Sequence, residues 1–218
     1  MSGNSLYMIA DENGLRAYSV GKYISIEKQI EKTKDRYYDH DWMKRKEMTT
    51  MDVKKIFFDM DGVLADFDRG VGKLCGMKYI PLDRRTPEDD AAMWDAIRTV
   101  GHFYDKLELM PGGREMFDTI YKRYGSKCEI LTGIPKPKHG IETAGEDKIN
   151  WVRRLLSDDI VINIVYREQK PDYCSGKDCI LIDDLGKNIY AWESYGGTGI
   201  LHRSAEETML VLKEMGVV

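Results

Sequence analysis

Two acidic pairs stand far apart in this 218-residue sequence, and each follows a run of apolar residues. Asp59 and Asp61 follow the run 53–58, and Asp183 and Asp184 follow the run 179–182. Carboxylates can attack phosphorus, transfer protons and bind Mg²⁺, which prefers oxygen ligands. If the fold brings the two pairs together, they predict a site for phosphoryl transfer.

A hydroxyl group and several lysines extend this pattern. Thr132 and Gly133 follow another apolar run, Lys170 precedes the run 179–182, and Lys136 lies in a Pro-rich loop. Hydroxyl and ammonium groups can hold phosphoryl oxygens. We therefore expect Thr132, Gly133, Lys170, Lys148 and Lys136 to bind phosphate, and either Lys170 or Lys148 could be the main phosphate lysine.

The elements that must position these residues alternate between short apolar strands and helices. Strands are expected at 53–58, 128–131, 160–165, 179–182 and 198–201, and helices at 64–76, 86–100, 114–124, 147–156, 185–195 and 205–215. This alternation predicts an α/β fold with a mostly parallel sheet flanked by helices. Ligands bind at the carboxyl ends of the strands in such sheets, which is where Asp59, Thr132 and Asp183 fall.

Two further segments are expected outside the sheet domain. Asp59 and Thr132 are 132 − 59 = 73 positions apart, about 40 more than one connecting helix needs, which predicts a small, mainly helical cap at about residues 68–110. Residues 1–50 are expected to form an appendage, with a hairpin around Asn13-Gly14 and a charged helix at 24–47, before a catalytic domain at 51–218. Phe67, at the edge of this cap, and Trp94, Phe103 and Tyr104 within it are expected to bind the substrate.

Bulk properties argue against several classes of protein. The chain has 33 basic and 37 acidic residues, so we expect no binding of nucleic acid through bulk charge. It has no apolar run of membrane-spanning length and no secretory signal, and its four cysteines suit free thiols, so we expect a cytoplasmic protein. The absence of a G-x-x-x-x-G-K-[ST] motif disfavours a P-loop kinase. The oligomeric state is left open.

The order of the motifs resembles that of the haloacid dehalogenase (HAD) superfamily of phosphohydrolases. Its D-x-D-G motif, Ser/Thr, Lys and acidic pair are matched in order by Asp59 and Asp61, Thr132, Lys170 or Lys148, and Asp183 with Asp184. The resemblance implies a HAD-like Rossmannoid parallel sheet with the cap inserted after its first strand. It also implies Asp59 as the nucleophile, Asp61 as the general acid and base, and Mg²⁺ held by Asp59, the Asp61 backbone carbonyl and one of Asp183 and Asp184.

Within that superfamily, the segment D-M-D-G-V-L-A-D-F at 59–67 resembles the first motif of 5'(3')-deoxyribonucleotidases. The aromatic-rich segment 103–112 and the segment 146–152 are also similar to segments of those enzymes. The resemblance implies a small phosphate ester as substrate, specifically a nucleoside monophosphate, whose base would enter an aromatic slot formed by Phe67, Trp94, Phe103 and Tyr104. Two alternatives stay open: a HAD phosphatase acting on a polynucleotide 3'-phosphate or a sugar phosphate, and a non-catalytic, phosphate-binding HAD-like protein.

Overall fold

A computed structural model describes residues 6–11, 14–19, 51–81 and 84–218 of the chain. The chain divides into two units, Met1–Thr49 and Thr50–Val218. In the first unit, strands β1 (Leu6–Asp11) and β2 (Gly14–Ser19) pair in antiparallel register. The charged helix expected at 24–47 lies outside the described residues.

The second unit contains a five-stranded parallel sheet. Its strands are β3 (Lys55–Phe58), β4 (Cys128–Gly133), β5 (Val161–Val165), β6 (Cys179–Asp183) and β7 (Thr198–Leu201). The strand order is β5-β4-β3-β6-β7, and every neighbouring pair is parallel. The strand β3 is therefore central, and the chain segments leaving β3, β4 and β6 emerge side by side at one edge. The predicted parallel α/β fold is confirmed.

Helices connect these strands and cover the sheet. They are α1 (Phe67–Cys75), α2 (Pro87–Thr99), α3 (Gly113–Tyr124), α4 (Ala144–Leu155), α5 (Gly186–Ser194) and α6 (Ala205–Glu214). The start of α2 follows from its sequence, because Thr86 and Asp89 form a reciprocal capping box and Pro87 occupies the first turn. Short 3₁₀ segments include Tyr104–Lys106, Pro137–His139 and Arg167–Tyr173.

The core lies on both faces of the sheet, because side chains along a strand alternate between its faces. Ile56 and Phe58 belong to the larger buried cluster, whereas Phe57 belongs to a second cluster under α5. The ring of Phe57 meets Trp192 of α5 edge-on, with centroids 5.4 Å apart. Burial on both faces explains why these strands are continuously apolar rather than alternating.

A small helical cap is inserted between β3 and α3, as expected after the first strand of the sheet. It comprises α1, α2 and the turn Tyr104–Lys106. Its C-terminal end is anchored on α4, where Trp151 Nε1 donates to the Leu107 carbonyl at 2.8 Å and Arg154 pairs with Asp105 at 2.8 Å. Across the described ranges, no helix combines the length and the apolar character needed to cross a membrane.

Candidate active site

Asp59 directly follows β3 at the centre of the sheet edge. Its backbone N–H donates to the Ile182 carbonyl at 2.9 Å, which ties it to the neighbouring strand β6. The residue is 6% exposed, and its Oδ1 accepts a bond from the Met60 N–H at 2.8 Å. Lys170 Nζ lies 3.0 Å from the same oxygen. Asp59 is therefore a buried carboxylate held in one orientation by two donors.

Lys170 also reaches the acidic pair at the end of β6. Its Nζ lies 2.6 Å from Asp183 Oδ2, and the Asp183 carboxylate further accepts bonds from the Leu185 N–H and from Asn188 Nδ2, each at 2.9 Å. Although burial disfavours the charge on Lys170, Asp59 and Asp183 hold its pKa above the usual value. Lys170 therefore joins two buried carboxylates as their shared cation.

Asp184 differs from Asp183 in its surroundings. Asp184 lines the open cavity above the site, whereas Asp183 is fully buried among its donors. Burial, followed by the charge of Asp59, raises the pKa of Asp184 to about 8. Asp59, Asp183 and Asp184 each offer an oxygen, and these oxygens all lie within 4.8 Å of one another. The three carboxylates form a candidate cation site.

Lys148 links Asp61 to Thr132 through hydrogen bonds. It projects from α4, is fully buried, and its Nζ donates to Asp61 Oδ2 at 2.7 Å and to Thr132 Oγ1 at 2.9 Å. The ammonium also lies over the Tyr104 ring, 4.7 Å from its centroid. Burial raises the pKa of Asp61, and the charge of Lys148 opposes that rise. Asp61 Oδ1 is buried and has no hydrogen-bond partner among the described residues.

The two candidate phosphate lysines thus occupy different positions. Lys170 contacts Asp59 and Asp183 and lines the cavity, whereas Lys148 bonds to Asp61 and Thr132 within the protein. Gly133 and Lys136 also line the cavity, and Lys136 pairs with Glu168 at 2.9 Å. Thr132 itself is fully buried.

A cavity of about 430 Å³ opens above these residues, between the sheet edge and the cap. Of the expected aromatic slot, Phe67, Trp94 and Tyr104 line this cavity. Phe103 is not among its lining residues. Its ring is fully buried in the core and packs edge-on against Phe67 and Tyr104, with centroids 5.7 and 5.3 Å away. Its expected contact with a substrate base is therefore wrong, because the ring supports two wall residues from behind.

Several lining residues were not predicted from the sequence. The sequence could have indicated Asn188, because it lies in the first turn of the helix that follows the Asp183-Asp184 pair. No sequence pattern could have indicated Tyr79 and Arg85, because they lie in the connection between α1 and α2, where no helical or strand period shows which side chains face the cavity. Arg85 lies over the Tyr79 ring at 5.3 Å and donates to Asp90 at 3.2 Å. The cap therefore adds a polar cluster to the aromatic wall.

Comparison with known proteins places the chain near HAD hydrolases of solved structure. No family model and no curated protein sequence matches the chain. A HAD family hydrolase from Deinococcus radiodurans R1, with bound phosphate and sodium, is 13% identical with a TM-score of 0.46, over 77% of this chain and 98% of that one. A Bacillus subtilis protein described as a HAD-hydrolase and bound to magnesium is 11% identical with a TM-score of 0.49, over 73% and 98%.

A HAD-superfamily hydrolase from Ehrlichia chaffeensis is 14% identical with a TM-score of 0.40, over 75% of this chain and 98% of that one. At such identities and scores, the likeness alone assigns neither a family nor an activity to the chain.

Proposed function

We propose that this protein is a phosphomonoester hydrolase that acts through an aspartyl-phosphate on Asp59. The observation that carries the proposal is the pairing of two buried lysines with the acids at the sheet edge. Lys170 joins Asp59 to Asp183, and Lys148 joins Asp61 to Thr132. Asp59, Asp61 and Lys170 thereby meet at one end of a single cavity, and Lys148 lies buried behind Asp61.

The reaction follows from the positions of the oxygens. Both donors to Asp59 bind Oδ1, so we assign the attack on phosphorus to Oδ2. As the Oδ2–P bond forms, the ester P–O bond breaks, and protonated Asp61 donates its proton to the leaving oxygen. Asp61 then takes a proton from water, which attacks phosphorus and breaks the Oδ2–P bond. The products are the alcohol and inorganic phosphate, and both carboxyl groups return to their starting states.

The donor set fits a divalent cation. With Asp61 protonated as the proton donor, three carboxylates (Asp59, Asp183 and Asp184) and two lysines (Lys148 and Lys170) leave a formal charge of 2 − 3 = −1. The buried Asp61 Oδ1, without a protein partner among the described residues, is the kind of polar atom that an exogenous group completes.

We propose that Mg²⁺ binds here, held by Asp59, Asp184 and the Asp61 backbone carbonyl. Asp183, whose oxygens already accept four bonds, orients Lys170 and Asn188 instead. When bound, Mg²⁺ supplies positive charge between the carboxylates and the phosphoryl oxygens.

We further propose a nucleoside monophosphate as the substrate, with deoxyribonucleotides favoured. Phe67, Trp94 and Tyr104 give the cavity flat apolar walls, on which a base can stack. Stacking of a base on an aromatic side chain contributes about 1–3 kcal/mol. The similarity of the segment 59–67 to the first motif of 5'(3')-deoxyribonucleotidases supports the same substrate class.

The test is a phosphate-release screen with purified protein and Mg²⁺ across deoxyribonucleotides, ribonucleotides, sugar phosphates and 3'-phosphorylated oligonucleotides. Asp59→Asn should lower turnover by several orders of magnitude, since the amide cannot form the acyl phosphate. Asp95→Asn is a matched control, because this exposed cap carboxylate pairs with Arg98 at 2.6 Å and does not line the cavity. More than about a tenth of wild-type activity in Asp59→Asn, about 1.4 kcal/mol of barrier, would refute the nucleophile.

A further inference from the structure

The aromatic wall of the cavity extends well beyond the catalytic residues. It begins at Tyr104, beneath the Lys148 ammonium, and continues through Phe67 at 6.2 Å and Trp94 at 6.4 Å between ring centroids. Trp94 then meets His139 of the 137–139 turn at 4.5 Å. Tyr104 is buried, whereas Phe67, Trp94 and His139 are each partly exposed, so the run offers more ring surface than a single base requires.

The far end of that wall is positively charged. The cavity-lining residues of the two loops at 133–139 and 166–170 include three exposed cations, Lys136, Lys138 and Arg167, and one acid, Glu168. Glu168 is engaged by Lys136 at 2.9 Å. The balance on these exposed lining residues is therefore 3 − 1 = +2, and these residues are separate from Lys148 and Lys170, the buried lysines that pair with the acids at the sheet edge.

Lys138 is adjacent to the last ring of the wall. Burial, followed by the charge of Lys138, holds the pKa of His139 below its usual value, which favours the neutral form of the ring that meets Trp94. Stacking rings followed by exposed cations are the combination by which proteins hold a nucleotide strand, with bases on the rings and phosphates on the cations.

We propose that the cavity contains a second anion subsite, formed by Lys138 and Arg167, which binds a second phosphate group of the nucleotide whose terminal phosphate meets Asp59. This inference rests on the proposed function, because it takes the reacting phosphate to be at the catalytic acids. The second phosphate has two chemical sources: the other monoester of a nucleoside 3',5'-bisphosphate, or the phosphodiester that follows the first nucleoside of a short single strand.

The experiment compares kcat/KM for four substrates: p-nitrophenyl phosphate, a deoxynucleoside 5'-monophosphate, its 3',5'-bisphosphate, and a 5'-phosphorylated dinucleotide. The dinucleotide has one hydrolysable monoester, so phosphate release reports a single reaction. We expect the bisphosphate or the dinucleotide to exceed the monophosphate about tenfold. The salt dependence should also be steeper, by about 0.7 in the slope of log(kcat/KM) against log salt for each additional phosphate contact.

The double variant Lys138→Gln/Arg167→Gln should reduce that tenfold preference to about one. Lys122→Gln is the matched control, because this exposed lysine lies in the last turn of α3 and is not a lining residue. It should preserve both the preference and the salt slope. Thermal unfolding of each variant establishes that the comparison is made on folded protein.

The outcomes separate the two proposals. If kcat/KM exceeds that of the monophosphate only for the bisphosphate, the second subsite binds a free phosphomonoester. If kcat/KM exceeds it for the dinucleotide as well, the subsite binds the phosphodiester of a strand. Equal kcat/KM for the monophosphate, bisphosphate and dinucleotide overturns the second subsite while leaving the phosphatase intact. A preference that survives in the double variant also overturns it. If the wild-type protein releases phosphate from none of the four substrates, the proposed function and this inference are both overturned.

Discussion

Gly62 is the position at which the smallest change should most damage the site. It follows the Asp59–Asp61 motif with φ at +75°, a conformation that residues with a side chain rarely adopt. A Cβ built on Gly62 would lie 2.5 Å from Asp184 Oδ2 and 2.7 Å from its Cγ. Gly62→Ala therefore forces either the segment 59–62 or the Asp184 carboxylate to move.

The magnitude follows from that distance. Ordinary contact begins at 3.4 Å, so the two groups must separate by 3.4 − 2.5 = 0.9 Å. A displacement of about 1 Å in a catalytic group lowers the rate by about 10²-fold. The left-handed backbone adds a stability cost of about 1–2 kcal/mol. We expect a folded but destabilised protein whose kcat/KM is reduced about a hundredfold.

The assay pairs kcat/KM for phosphate release with urea unfolding. Gly76→Ala is the control, because Gly76 has a similar φ of +66° but nothing within 4 Å of its Cβ position. Both variants should lose similar stability, and Gly62→Ala alone should lose most of its activity. If Gly62→Ala keeps more than about a third of the wild-type kcat/KM, or if both variants lose activity equally, the proposed role of Asp184 at the reacting centre is wrong.

Three further predictions follow from the site and the core. Excess chelator should abolish activity, Mg²⁺ should restore it and Ca²⁺ should restore little, because Ca²⁺ prefers more ligands at longer distances; full activity in chelator would exclude the metal. Trp94→Ala should lower kcat/KM about tenfold for a deoxynucleotide and little for p-nitrophenyl phosphate, and an equal loss of kcat/KM on both substrates would refute the base slot. Phe103→Ala should instead lower the free energy of unfolding by about 3–5 kcal/mol, because its ring is buried in the core. Burial, followed by the charge of Arg203, lowers the pKa of His202 from 6.5 to about 4. Between these two values the unfolded chain binds a proton that the folded chain does not, so the free energy of unfolding should fall as the pH drops, by about 2–3 kcal/mol at about pH 4.5. Urea unfolding measures this fall, and an equally steep fall in His202→Gln would show that other groups cause it.

The sheet and the centre of the site could be predicted because both depend on short, local patterns. Apolar runs of strand length gave β3, β4 and β6 nearly to their observed ends, and a parallel sheet places the carboxyl ends of adjacent strands at one edge. That geometry alone brings Asp59, Thr132 and Asp183 together, whatever the helices do. Lys148 and Lys170 were both candidates, and the structure places Lys148 beside Asp61 and Thr132 and Lys170 beside Asp59 and Asp183.

The sequence could not show which of Asp183 and Asp184 would face the cavity and which would face the interior. Asp183 and Asp184 are adjacent and chemically identical, and their contacts differ because consecutive residues at a strand end point in opposite directions. Asp183 turns toward Lys170 and Asn188 in the interior, whereas Asp184 turns toward the cavity. Which residue faces which way depends on the exact end of β6, and the ends of elements are the least certain part of a pattern.

The cap was hardest to predict, and Phe103 shows the physical reason. Phe103 and Tyr104 are adjacent aromatics at the start of a short 3₁₀ segment, directly after His102, whose φ is +55°. No helical or strand period extends across such a turn, so composition cannot decide which ring faces the cavity. Tyr104 lines it, and Phe103 fills the core behind Tyr104 and Phe67. The Phe103 ring thus fixes the positions of the two rings that line the cavity, so part of the cavity's shape is set by a residue that does not line it.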